Sequence, residues 1–81
     1  MDHTTESLLH QLAASGAQTK ADILGWFPDD PGGAQRAFNL GIEFGAIVQI
    51  SGNGPDDPHA RWAVSAEVLL RYMAQESARS N

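Results

Sequence analysis

The sequence predicts an α+β domain: three helices, a two-stranded β-hairpin and a closing helix. Three observations carry this. Apolar residues recur at helical spacing through three N-terminal segments, each followed by glycine or proline. A β-branched stretch, then a polar loop, then a second short stretch give the pattern of a hairpin. Finally, 81 residues of which 42% are hydrophobic suffice for one small core, burying about three-fifths of the surface the unfolded chain exposes.

The first helix spans about Thr4 to Ser15. Leu8, Leu9, Leu12 and Ala13 share a face, Gly16 is placed as its C-cap, and Asp2, Thr4 or Thr5 can cap its start. In Thr19-Lys20-Ala21-Asp22 the threonine can cap a second helix and Asp22 can answer from its first turn. Ile23, Leu24 and Phe27 form that helix's apolar stripe, and Pro28 is expected to end it. Asp29-Asp30-Pro31-Gly32-Gly33 reads as a turn into a third helix, with Asp30 as N-cap and Pro31 at the first helical position.

On a 100° wheel the third helix, about Pro31 to Phe44, gathers Ala34, Ala37, Phe38, Leu40, Gly41, Ile42 and Phe44 on one side. Gln35, Arg36, Asn39 and Glu43 take the other, and Gly45 stops the helix. Ala46 to Ser51 is half alternating and β-branched, so it reads as a strand. Gly52 to Pro58 is loop chemistry, and Arg61-Trp62-Ala63-Val64 pairs back as the second strand. Ser65 caps a last helix, about Ala66 to Ala78, leaving a tail at 78–81.

Composition narrows the function. With no cysteine the chain has no disulfide framework and no thiolate zinc site. No apolar run approaches a transmembrane span, and no basic-then-apolar signal opens the chain, so a cytoplasmic location is expected. A net charge of -5 weighs against indiscriminate binding to nucleic acid or anionic membrane, while leaving room for a local basic face.

The order helix, helix, turn, helix, strand, loop, strand, helix resembles that of the winged helix-turn-helix superfamily. The segment TKADILGWFPDDPGGAQRAFNLGIEFGAIV is similar to that superfamily in spacing. Ile23 and Phe27 lie four apart, Ala34 opens the buried side of helix three, and Ala37, Phe38 and Gly41 continue it. Phe44-Gly45-Ala46-Ile47 stands where the family turns from helix into strand. The likeness covers about residues 5 to 70, nearly the whole chain. It implies a single winged-helix domain over 1–81 and, in DNA-binding members, a third helix in the major groove with the wing on the backbone or minor groove.

The matching positions are Gln35, Arg36 and Asn39 for base edges. Arginine forks onto guanine, and glutamine or asparagine pairs with adenine on two atoms. Lys20 and Arg61 are placed for phosphates. The sequence departs from the family at Asp29-Asp30, at Gly32-Gly33 and at Asp56-Asp57, where carboxylates or bare backbone stand in for the Ser, Thr, Lys or Arg that the family presents to DNA. These acidic pairs also suit a cap and a turn. Winged helices serve as protein-interaction modules too, so the alternative expectation is an acidic surface for a basic partner protein.

The last helix spreads Ala66, Val68, Leu69, Leu70, Tyr72, Met73 and Ala74 over roughly 240°, wider than one core contact uses. A homodimer interface through Leu70, Tyr72 and Met73 is expected.

Other motifs carry no chemistry in this reading. Met1-Asp2-His3 has a Cu(II) or Ni(II) spacing at a terminus expected to fray, and His10 and His59 lack paired ligands. Gly52-x-Gly54 precedes no helix. The serines lack a nucleophile elbow, and the adjacent aspartates lack contrasting environments. Trp26 and Trp62 suit core or core-edge packing. No cofactor, metal or catalytic centre is expected.

Overall fold

The computed structural model describes residues 3–79, with Tyr72, Met73 and 75–79 described as backbone only. The elements in chain order are α1 (His3–Ser15), β1 (Gln18–Thr19), α2 (Lys20–Leu24), α3 (Pro31–Glu43), β2 (Ile47–Gln49), β3 (Arg61–Val64) and α4 (Ala66–Arg79).

Helix α1 turns Thr5, Leu8 and Leu12 inward. Its end follows the expected chemistry: Gly16 has φ +81°, and its N–H bonds the Leu12 carbonyl at 3.0 Å. Thr4 and Thr5 lie inside the helix and do not cap it, because Thr5 shares the buried face with Leu8. Asp2, the other candidate cap, lies outside the described residues.

Thr19 caps α2, its Oγ1 accepting the Asp22 N–H at 3.2 Å. The helix stops at Leu24, earlier than the expected end at Pro28. The Trp26 and Phe27 amides bond three residues back, to Ile23 and Leu24 carbonyls at 3.2 and 3.1 Å, so the chain tightens out of the α-helix ahead of the proline. Phe27 packs against the core from this turn and not from a helical face. The Asp30 N–H bonds the Phe27 carbonyl at 3.1 Å and closes the connection into α3.

Asp30 caps α3 through Oδ1, which accepts the Gly33 N–H at 3.0 Å, and Pro31 follows at the first helical position. Gly33, Ala34, Ala37, Phe38 and Gly41 are buried. Ile42 and Phe44, expected on the same side, are 39% and 69% exposed. The helix ends at Glu43 and Phe44 sits on the C-cap, its N–H still bonding the Leu40 carbonyl at 2.9 Å, at the helix end where it is left exposed. Ile42 lies at the margin of the apolar arc, beside Gln35. Gly45, at φ +75°, then redirects the chain.

The sheet has three strands, where a two-stranded hairpin was expected. Its order is β1-β3-β2, antiparallel throughout. Gln18 and Thr19 pair with Trp62 and Arg61, and Ile47, Val48 and Gln49 pair with Val64, Ala63 and Trp62. A two-residue strand is too short to show alternation, and its partner lies more than forty residues away. The ladder of β2 covers Ile47–Gln49 and not all of 46–51, although the Ile50 N–H still reaches the Arg61 carbonyl at 2.9 Å.

Ile47 and Trp62 face the core with Leu8, Leu12, Ile23, Ala37, Phe38 and Ala60. Phe38 and Trp62 meet edge to face, with centroids 5.1 Å apart at 78°. The core also fixes how closely α3 meets β2: a Cβ on Gly41 would collide with Ile47, Cγ1 standing 2.7 Å from it. Helix α4 starts on Ser65, whose Oγ accepts the Val68 N–H at 3.3 Å while its own N–H holds the Ala46 carbonyl at 2.8 Å.

Two glycines of α3 are expected to respond oppositely to alanine. Gly41→Ala overpacks the contact with Ile47 and is expected to cost about 1–3 kcal/mol. Gly32→Ala enters open space and is expected to add about 0.4–1 kcal/mol by restricting the unfolded chain. Urea unfolding of the two variants beside the parent measures both.

Candidate nucleic-acid interface

The solvent side of α3 is built by the burial of the other. With Ala34, Ala37, Phe38 and Gly41 inward, Arg36, Asn39 and Glu43 are exposed and Gln35 is half-buried at the flank. Gln35 Nε2 donates to Asn39 Oδ1 at 3.0 Å across one helical turn. Gln35 and Asn39 are thus joined, and Arg36 stands on the same helix with its guanidinium exposed.

Lys20 and Arg61 are brought close by the sheet. Thr19 pairs with Arg61, and Lys20 is the next residue. Arg61 donates from one guanidinium nitrogen to the Ala17 carbonyl at 3.4 Å, which leaves its other donors open. Lys20 is half-buried, its ammonium 5.5 Å above the Phe38 ring. That placement draws Lys20 against the inner flank of α3, a position sequence spacing does not reveal. Across an open cleft of about 350 Å³, Lys20, Ala21 and Leu24 face the wing segment Pro55 to Pro58.

The two acidic pairs, Asp29-Asp30 and Asp56-Asp57, divide into two kinds of residue. Asp30 and Asp57 are committed to the backbone: Asp30 to Gly33, and Asp57 to the N–H groups of Asn53 and His59, both at 2.9 Å. Gly33 belongs with Asp30, because a Cβ there would meet the capping carboxylate. The other exposed carboxylates around α3 and the wing are Asp22, Asp29, Glu43 and Asp56. The wing is further tied by Gln49 Nε2, which donates to the Ser51 and Gly54 carbonyls at 3.0 and 2.9 Å.

The two residues that sequence reasoning missed are Asp57 as organiser of the wing loop and Ile42 as a member of the outer face of α3. The Asp-x-His spacing hints at the first. The marginal wheel position hints at the second. Of the expected dimer residues, Leu70 is 67% exposed on α4, whereas the side chains of Tyr72 and Met73 lie outside the described residues. Among the described residues no three His, Cys, Asp or Glu side chains gather as a metal site, and no helix is long and apolar enough to cross a membrane.

A capped helix-turn-helix carried on a three-stranded sheet with a looped hairpin is the arrangement of a winged helix. Two structures of a Lactococcus lactis ZitR double mutant, one in apo form, share it. The first superposes with a TM-score of 0.67 at 18% identity over 95% of this chain and 57% of that one. The second gives 0.66 at 18% identity over 98% and 54%. This chain therefore spans just over half the length of the ZitR chains, and the likeness is one of fold. No protein-family model and no curated protein matches the sequence.

The wing loop has a pH dependence set by Asp57. Its carboxyl is held below the ordinary 3.8, first by the Asn53 N–H, then by the His59 N–H, with the His59 charge adding in the same direction. A depressed carboxyl contributes order that is present above its ordinary value and lost as pH falls through the lowered one. The protection of the Asn53 and His59 amides, measured relative to the unfolded-chain exchange rate at each pH, is therefore expected to hold above the ordinary carboxyl value of 3.8 and to fall below it. Asp57→Ala is expected to lower this protection at neutral pH as well, with the helices unchanged.

Proposed function

We propose that this protein is a cytoplasmic DNA-binding regulator, not an enzyme, acting as a homodimer that lays α3 in the major groove of each half-site. The observation that carries the reading is the outer face of α3. Three polar side chains suited to base edges lie on the side of the helix away from the core, Arg36 and Asn39 exposed and Gln35 half-buried at the flank. Lys20 and Arg61, neighbours at the β1–β3 pairing, take phosphates. The fold shared with ZitR supports a DNA-binding regulator in general.

Dimerisation runs through α4 in this reading. Leu70 stands exposed there, at 67%. Leu70 with Tyr72 and Met73 forms the proposed interface.

A second reading has its own observation. Around α3 and the wing, the exposed carboxylates Asp22, Asp29, Glu43 and Asp56 outnumber the cations Lys20, Arg36 and Arg61. That balance favours a basic partner protein over DNA. Asp56 separates the two readings better than Asp57, because its side chain has no backbone role among the described contacts. Asp56→Asn is expected to tighten DNA binding under the first reading and to weaken the partner complex under the second.

Arg36→Ala is expected to keep the fold and to cost about 1–3 kcal/mol of specific DNA affinity. With Lys20, Arg36 and Arg61 on each subunit, the log–log salt slope is expected to be no steeper than about −5. Fluorescence anisotropy across a salt series measures both, and equal binding by Arg36→Ala and parent rejects the assignment. Leu70→Glu is expected to turn a dimer into a folded monomer, read by sedimentation and circular dichroism together. A parent that is monomeric at high micromolar concentration rejects the dimer.

A further inference from the structure

We infer that Gln35 reads an adenine, that Asn39 orients it, and that Ile42 meets a thymine methyl further along the same strip of α3. The inference rests on the DNA-binding reading and assigns unequal roles to residues which that reading treats alike.

The roles come from one hydrogen bond and one exposure. Gln35 Nε2 gives a hydrogen to Asn39 Oδ1 at 3.0 Å. A carboxamide nitrogen carries two hydrogens, and with the one anti to Oε1 given to Asn39, the syn N–H and Oε1 would form one free amide edge on Gln35. Adenine offers the complement in the major groove, with N7 as acceptor and the N6 amino group as donor. Guanine offers two acceptors there and would set O6 against Oε1, so the edge discriminates.

Asn39 is in a different position. Its Oδ1, the atom a bidentate adenine contact requires, already accepts the Gln35 hydrogen through one of its two lone pairs, and its amide is held toward Gln35 along the helix. Asn39 is therefore a positioning residue: it restricts the rotamers of the longer, more flexible glutamine and so lowers the entropy lost when Gln35 docks.

Ile42 completes the strip. It is 39% exposed, seven residues beyond Gln35 and three beyond Asn39, on the same flank of the helix. Two helical turns advance roughly 10 Å, about three base pairs at 3.4 Å each. An apolar side chain there suits the thymine C5-methyl. The strip specifies adenine at one position and thymine about three base pairs away.

The test is selection of random-sequence duplexes by the full 81-residue chain at low salt, followed by binding of single-base variants of the selected site. The parent is expected to favour adenine about tenfold at one position. In Gln35→Ala that preference falls to near unity. In Asn39→Ala it falls several-fold, while binding to random duplex stays constant. Asn39→Asp keeps an acceptor for Gln35, so it is expected to bind every duplex more weakly but to retain the adenine preference. A purely structural role for Asn39 would not divide affinity from preference in this way. Replacing the thymine by uracil is expected to weaken the parent and leave Ile42→Ser unchanged. Circular dichroism confirms that each variant is folded.

Duplex retained without adenine enrichment, or enrichment that survives Gln35→Ala, overturns the inference alone. Asn39→Asp losing the preference along with Asn39→Ala overturns the positioning role. No duplex retained by the parent overturns the inference together with the DNA-binding reading.

Discussion

Trp62 is the residue on which the rest of the molecule depends. It sits on the central strand, pairs with Gln18 on one side and Gln49 on the other, and is buried with Phe38 against its ring. Sheet and helix bundle therefore share one aromatic junction. Phe38 in turn carries the Lys20 ammonium over its face, so a line of contact runs from the sheet through α3 to a cation at the start of α2. Aromatic pairs of this geometry contribute about 0.5–1.5 kcal/mol beyond their area. Their larger effect here is positional, since they set the rotation of α3 about its own axis. That rotation decides which of its side chains are offered outward.

Local chemistry made the helix boundaries legible. Gly16, Thr19, Asp30 with Pro31, Gly45 and Ser65 act where the residue types place them, because capping depends on neighbours within four positions. What escaped was non-local or marginal. Strand β1 consists of two residues, and only its partner across the fold makes it a strand. Phe44 keeps the helical bond to Leu40 but stands at the helix end, so its place on the wheel does not decide its burial. Phe27 lies beyond the end of α2 at Leu24, in a turn that helical spacing does not foresee.

The site was legible to a similar depth. The polar arc of α3 follows from spacing alone, as does the adjacency of Gln35 and Asn39. The hydrogen bond between them, and the unequal roles it implies, needed coordinates. Likewise Asp57 reads from sequence as a generic turn former. Its two accepted amides and depressed acidity arise only once the loop has closed on Asn53 and His59.

Strand β1 ties the start of the chain to its last third. Gln18 and Thr19 lie in the first quarter of the chain, yet their partners Trp62 and Arg61 lie in the last third. Thr19 is also the cap of α2. A chain emerging from its N-terminus can form α1 and α3 early, but their aromatic partner and third strand are missing until residue 62 is free. Contacts of such separation carry a loop-closure cost before any gain arrives. The N-terminal half is thus expected to remain unfinished during synthesis and to close in a late, cooperative step, once the strand that joins wing to helices is free.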